Sequence, residues 1–413
     1  MTDQTKISFE NTEYAFAAKS DKELKQANFL FGIMGKSWMV NLGLKITPIA
    51  IKWGIPFTKT LIRQTIFKQF VGGETLEQTA KVADKLEEYK VQVILDYGVE
   101  GKEGEANFEH ARDEFKRVIE YAATQANIPF MSIKVTGFAR FSLLEKLDAT
   151  MHNLQGTLMK RYLDAVESLS DSEKEEWHKV KLRTQQLCEV ADKKNIGILI
   201  DAEETWIQDP VDALTILMMD IFNKKKPVIY NTLQLYRHDR LQFLKDSYAA
   251  AAERNFILGI KLVRGAYMEK ERNRAVEMNY PSPIQPDKES CDRDYNAAVE
   301  FCIDHIDKTS VIVASHNEYS NLFTTQLLDK KLLPHNHPHV HFSQLYGMSD
   351  NITFNLAKSG CSVSKYLPFG PIKDVIPYLM RRAQENSSVS GQTGRELILI
   401  KKELNRRANS RLG

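Results

Sequence analysis

From Val91 to Gly370 the chain repeats one motif eight times: a short apolar run rich in Val and Ile, followed by a stretch with helical spacing. The runs are VQVILDY ending at Tyr97, FMSIKVTG ending at Gly137, IGILIDAEE ending at Glu204 and PVIYNTLQ ending at Gln234. The second half adds ILGIKLVRG ending at Gly265, VIVASHN ending at Asn317, HVHFSQLYG ending at Gly347 and CSVSKYLPFG ending at Gly370. Near-continuous hydrophobic strands that alternate with helices point to a parallel sheet whose outer face is covered. Eight such units point to an α/β fold closed into a (β/α)8 TIM-like barrel. Asp96, Lys134, Asp201, Gln234, Arg264, His316, Gln344 and Tyr366 all fall near the C-terminal ends of their runs, where barrel enzymes build their sites. Any one strand acquires a polar residue as it enters a loop; eight together are harder to explain that way.

Around the barrel (residues 89–390) the sequence predicts an N-terminal helical region over 1–88 and a C-terminal helix over 391–413. Leu61–Phe70 and Thr75–Tyr89 show the 3.6-residue period in the first of these. Between the second and third runs, Ser142–Lys194 is long enough for two or three helices, expected as an arm or hairpin beside the barrel. The Lys and Arg residues of the final helix are expected to form a solvated face.

With 43% apolar and 27% charged residues, the chain can bury a core without disulfides or metals. The 56 basic and 54 acidic residues leave a net charge of only +2, too little to steer nucleic acid, so no nucleic-acid partner is expected. Cys188, Cys291, Cys302 and Cys361 lie far apart, a pattern that suits a reducing compartment. The N-terminal stretch reads as neither a signal nor an Arg-rich transit peptide, which predicts a cytoplasmic protein, at most peripheral at the inner membrane face. Its greasiest region, Phe29–Phe57, is interrupted by Lys36, Lys45, Pro48, Lys52 and Pro56, short of the roughly 20 apolar residues that span a bilayer. These helices either touch a membrane surface or pack as core or arm.

Three clusters carry chemistry. In the last unit Tyr378, Arg381, Arg382 and Glu385 fall at i, i+3, i+4 and i+7, so one helical face holds a phenol, two guanidiniums and a carboxylate. Paired guanidiniums clamp a small carboxylate well, since their planar forks bind it with two bonds; a surface ladder from Arg381 or Arg382 to Glu385 is the alternative. Lys261 and Arg264 flank the end of the fifth run, where Gly265 and Ala266 allow close backbone approach to a phosphate or an electron-rich ring. Lys134 ends the second run, where it either meets an anion inside the barrel or bends out to solvent. Asp201 is the natural countercharge for these cations or for a substrate ammonium.

KLVRGAY, the Ser-His-Asn at the end of the sixth run, Tyr366 followed by Pro368 and Gly370, and the Tyr-Leu-x-Arg-Arg-x-x-Glu-Asn segment resemble the flavin-dependent proline dehydrogenase family, in the order that family shows them. The resemblance covers about Val91 to Ser388. It implies an oxidoreductase that converts L-proline to Δ1-pyrroline-5-carboxylate by hydride transfer to N5 of FAD and passes electrons to a quinone or other acceptor. By the same resemblance Arg381, Arg382 and Lys134 hold the proline carboxylate, Tyr366 and Tyr378 close over the ring, and Asp201 organises the charged groups. Ala202, Gln234, Lys261, Arg264, Gly265, Ala266, Ser315, His316 and Glu385 line the FAD. Asp201, Lys261, Arg264 and Tyr366 are the candidate catalytic residues. The family often has Arg and Lys where this chain has Lys261 and Arg264, so either cation is a candidate for the isoalloxazine. From this length a monofunctional enzyme without an added aldehyde dehydrogenase domain is expected, and the bulk of Tyr366 is expected to favour proline over hydroxyproline.

Two other classes compete. His335, His337, His339 and His341 alternate, and His-x-His on a barrel strand can hold zinc; here the pair begins the seventh run, away from the C-terminal face, and is expected in a polar loop or facing an edge. No metal site is expected. GIMGKS at Gly32–Ser37 imitates the end of a phosphate loop, but Leu30 stands where its first glycine belongs and no strand precedes it. A barrel used only as a binding protein would be colourless and free of flavin.

Overall fold

The computed structural model describes residues 7–53, 55–98, 103–388 and 390–411; the first six residues, on which the leader reading partly bears, lie outside them. Eight parallel strands form a closed barrel in sequential order: β1 (Gln92–Tyr97), β2 (Phe130–Ile133), β3 (Gly197–Ile200), β4 (Ile229–Gln234), β5 (Leu258–Val263), β6 (Thr309–Ala314), β7 (Val340–Leu345) and β8 (Val363–Phe369). All eight apolar runs are therefore strands, but most stop earlier than expected. β2 ends at Ile133, and Val135–Gly137 coils into a 3-10 turn. Lys134, Asp201, Arg264 and His316 thus follow their strands in loops, whereas Asp96, Gln234, Gln344 and Tyr366 lie within the paired strands.

By compactness the chain divides into two units, one of residues 1–98 with 342–413 and one of residues 99–341. In the second unit, β2 to β6 pair in parallel with registers such as Phe130↔Gly197 and Thr232↔Lys261. Side chains alternate across a strand, so Phe130, Ser132 and Lys134 share the inward face of β2 and its extension. Leu199 and Asp201 do so on β3, Tyr230, Thr232 and Gln234 on β4, and Gly259 and Lys261 on β5. The floor is aromatic: Phe130 meets Tyr230 edge to face at 5.6 Å and His341 at 5.0 Å, and the Tyr230 and Ser310 hydroxyls lie 3.0 Å apart. Gly259 is required here, since a Cβ would stand 2.2 Å from the Ile229 carbonyl oxygen and 3.1 Å from the Tyr230 ring. His341, expected in a loop or at an edge, is buried against Phe130, and burial pushes its pKa down to about 3. It is a neutral floor residue.

The insertion is three helices, Phe141–His152, Leu158–Glu167 and Asp171–Lys194. The last is no free arm. Its Arg183, only 2% exposed, donates to Glu109 at 2.7 Å, to the Phe138 carbonyl at 3.2 Å and to Glu105, all in the same unit. The sequence suggested an appendage because those carboxylates lie more than seventy residues upstream.

In the first unit β1, β8 and β7 pair side by side, with Tyr366 opposite Ile94 and Leu345. The helices Asp21–Met34 and Ser390–Asn409 pack together. The basic face of the latter is only partly solvated: Arg407 donates to the fully buried Glu403 at 2.7 Å, to Asp21 at 2.9 Å and to the Phe16 carbonyl at 2.9 Å. Lys365, 1% exposed, pairs with Asp350 at 2.8 Å and donates to the Met348 carbonyl, while Lys19 reaches Asp350 at 3.1 Å. Burial alone would raise the Asp350 pKa; the two lysines outweigh it and hold the carboxyl below its usual range.

Candidate active site

In the second unit the inward parity of β2, β3 and β5 brings three charges to the C-terminal end of the barrel. Asp201, immediately after β3, accepts from the Lys261 ammonium and lies 4.0 Å from that of Lys134. Lys261 is 4% exposed and the side chain of Asp201 12%. Burial would raise the Asp201 pKa, but the Lys261 and Lys134 cations offset that and set it below the ordinary carboxylate value. Lys134 therefore turns toward an anion rather than solvent. Gln234 is buried at the end of β4 and donates to the Glu203 carbonyl at 2.7 Å. Ala202 follows Asp201 and is half-buried.

Arg264 takes the opposite direction, one step of alternation beyond Val263. Its guanidinium reaches Asp292 at 2.7 Å, the Ser315 hydroxyl at 2.7 Å and the Ser320 hydroxyl at 3.0 Å, and lies 4.3 Å from the Tyr295 ring centroid. Asp292 was not singled out from the sequence, and nothing local would have marked it. Ser315 also accepts from the Asn317 backbone at 3.1 Å, and His316 beside it is half-buried. Gly265 and Ala266 are exposed, and Gly265 has φ +136° with the Tyr236 ring 2.4 Å from where a Cβ would be. Gly265→Ala is therefore expected to cost about 1–3 kcal/mol. Thermal unfolding checks this, and an unchanged Tm would mean that the turn relaxes freely.

In the first unit the helix Ile372–Ser388 continues through Pro377. It carries Tyr378, Arg381, Arg382 and Glu385 on one face, as the spacing required. Arg382, 7% exposed, forms a two-pronged bond with Glu385 at 2.7 Å for each contact. The ladder anticipated from spacing thus exists, but its Arg382 end is buried and Glu385 is half-buried. Burial pushes Glu385 above the usual carboxylate range, against the pull of Arg382 and Arg381. Tyr378 is 8% exposed, with its hydroxyl lacking a hydrogen-bond partner among the described residues. Burial raises its pKa, with Arg382 lowering and Asp96 raising it to lesser degrees. A buried, unanswered phenol beside two guanidiniums suits a polar ligand better than a packed core. Tyr366 is half-buried and alternates with Lys365 and Leu367. Lys365 points to Asp350, and Leu367 packs where a Cβ on Gly72 would stand, so both face the helical layer. Tyr366 accordingly faces the barrel interior.

Among the described residues no three His, Cys, Asp or Glu side chains are grouped to hold a metal. His335 is held by Asp329 at 2.9 Å, and a ring nitrogen of His339 lies 2.8 Å from the Ile306 carbonyl.

A closed eight-stranded barrel with buried charges at the C-terminal ends of its strands defines a (β/α)8 enzyme. The proline dehydrogenase family profile matches residues 79–395, well over half of the chain. The chain belongs to the proline dehydrogenase family and is an oxidoreductase of that kind. It is 29% identical to proline dehydrogenase 1, mitochondrial, of Dictyostelium discoideum, over 96% of this chain and 74% of that protein. It is also 29% identical to the hydroxyproline dehydrogenase of Xenopus laevis, over 95% of this chain and 88% of that one. In fold it is similar to proline utilization A (PutA) from Bdellovibrio bacteriovorus, solved after inactivation by N-propargylglycine. The TM-score is 0.69 at 18% identity, with 94% of this chain and 39% of that one covered. This chain thus spans about two-fifths of the PutA chain. The comparisons overturn the expected cytoplasmic location: the relatives from Dictyostelium discoideum and Caenorhabditis elegans are both named mitochondrial. No helix among the described residues is long and apolar enough to cross a membrane.

Proposed function

We propose that the chain oxidises L-proline to Δ1-pyrroline-5-carboxylate with FAD as hydride acceptor and passes the electrons to a quinone, with peripheral membrane contact. The observation that carries this is the buried Lys134, Asp201 and Lys261 trio at the C-terminal end of the barrel in a member of this family. We assign the barrel to residues 89–390, flanked by the helical region 1–88 and the C-terminal helix 391–413.

Arg381 and Arg382, with Lys134, hold the substrate carboxylate, because guanidinium forks fix both the position and the orientation of a small rigid ring. Tyr366 and Tyr378 close over the pyrrolidine, and the unanswered Tyr378 hydroxyl supports a polar ligand there. Asp201 holds Lys261 inward and keeps Lys134 oriented. Residues present fit a flavin: Lys261 faces the interior as a fixed cation, Gly265 opens the backbone, and the buried Thr232 hydroxyl, on the inward face opposite Lys261, lacks a partner among the described residues. Gln234, Ala202, Arg264, Ala266, Ser315, His316 and Glu385 complete the set that would hold it. Bound FAD would supply the two-electron acceptor, and a cation near the ring favours the charge gained on reduction. Lys261, on the inward face, is better placed for that than Arg264, which Asp292 draws toward the helical layer.

An absorbance spectrum of the purified chain before and after anaerobic L-proline tests this. Flavin bands that bleach with proline are expected. A colourless protein that cannot be reconstituted with FAD would overturn the cofactor. The Xenopus relative makes hydroxyproline the second substrate to test. The bulk of Tyr366 leaves little room for an added hydroxyl, so bleaching with hydroxyproline is expected to be at least about tenfold slower; comparable rates would refute that role of Tyr366.

A further inference from the structure

The helix Ser37–Lys52 is apolar on two sides. Val40 and Ala50 are buried, while Trp38, Leu42, Ile46 and Ile49 are 67%, 51%, 51% and 58% exposed. At 3.6 residues per turn those four exposed side chains fall within an arc of about 80°. The stripe continues beyond the helix in Trp53, Ile55, Phe57 and Leu61, each more than half exposed, with Phe29 on the preceding helix similarly bare. Phe57 is 84% exposed at φ +65°, a left-handed backbone conformation uncommon for a bulky residue. Folding alone gives no reason to display this much aromatic and branched surface on one short segment.

Charge identifies what covers it. Between Glu23 and Glu74 the sequence has no Asp or Glu, yet it contains Lys25, Lys36, Lys45, Lys52, Lys59, Arg63 and Lys68. Lys36, Lys45 and Lys59 are exposed among the bare apolar residues. Association with the same face of a second copy would set two all-positive surfaces against each other. A stripe with Trp38 and Trp53 at the two ends of its helical part and Lys at its margins matches the interface of an anionic bilayer, where indole rings sit at headgroup depth and lysine stems extend toward phosphates.

We propose that the outer face of the helix Ser37–Lys52, continued by Trp53, Ile55, Phe57 and Leu61, docks on an anionic lipid bilayer and lies in its interfacial layer. This rests on the peripheral membrane contact proposed above and gives it a location and a lipid charge. The helix is about 24 Å long and lies on the surface rather than crossing it.

The test is co-sedimentation of the full chain with vesicles of phosphatidylcholine alone or with about 30% phosphatidylglycerol, with tryptophan emission recorded alongside. Partitioning about tenfold stronger into the anionic vesicles, with a blue shift, is expected. Ile46→Glu with Ile49→Glu should reduce binding about tenfold, and Lys45→Gln with Lys59→Gln should remove most of the preference for anionic lipid, both with unchanged proline oxidation using a soluble dye. No anionic-vesicle binding, equal binding by the wild-type chain and both variants, or a solution dimer broken by the Ile46/Ile49 change without vesicle binding would each overturn the proposal. Sedimentation reads neither flavin nor turnover, so a colourless protein would defeat the flavin assignment and leave this result standing.

Discussion

Asp201→Ala is expected to lower proline turnover by about 10²–10³-fold and to cost about 3–5 kcal/mol of stability. The stability loss follows from burial. Lys261 is 4% exposed, and without the carboxylate its ammonium stays inside the barrel with its countercharge removed. Turnover falls for a separate reason, since Lys134 and Lys261 lose the group that orients them. Asp201→Ala combined with Lys261→Met separates the two effects: unfolding should return part of the way toward wild type, because the more deeply buried of the two stranded ammoniums is gone and only Lys134 still lacks the carboxylate, while turnover should not recover. Recovery of both would remove Asp201 and Lys261 from the catalytic assignment. The pH dependence has a definite sign. The folded pKa of Asp201 lies below its ordinary value, so its contribution to stability is fully present above about pH 3.9 and is lost as pH falls through the depressed folded value. Asp201→Ala should therefore show a shallower loss of stability in acid.

Arg382→Met should raise KM for proline by about 100-fold with the flavin spectrum retained. Arg382→Lys should recover only part of this, because an ammonium keeps the charge but lacks the two-pronged geometry. Glu385 provides an internal check. Burial already raises its pKa and Arg382 restrains that rise, so removing the guanidinium should move Glu385 further up and shift any pH dependence of KM in the same direction. The pH profile of KM for each variant, compared with that of the parent chain, measures both effects. An unchanged KM would place Arg382 in a structural pair with Glu385 and outside the substrate site.

The barrel was legible because its signal is local and repeated. Eight apolar runs, each followed by helical spacing, are the sequence image of strands buried on both faces. Strand parity then carried Lys134, Asp201, Gln234 and Lys261 inward, and helical spacing placed Tyr378, Arg381, Arg382 and Glu385 on one face. The strand ends were less legible, since polar residues continue the run in sequence after pairing stops in space. Gln344 illustrates the limit: it sits at the end of its strand as expected, but its amide oxygen accepts from Thr353 in the helical layer at 2.8 Å.

The amino-acid sequence by itself therefore determined the strand count, the fold class and the residue types at the C-terminal ends, because each depends on a period of two or 3.6 within a few neighbours. Only the tertiary structure decided that His341 is a neutral floor residue against Phe130, that Lys365 is buried on Asp350, and that Arg264 turns to Asp292 while Lys261 stays with Asp201. Those outcomes depend on which distant side chain supplies a countercharge or a wall. For a buried charge that choice outweighs any local preference, because leaving it unanswered costs more than any rotamer or turn can return.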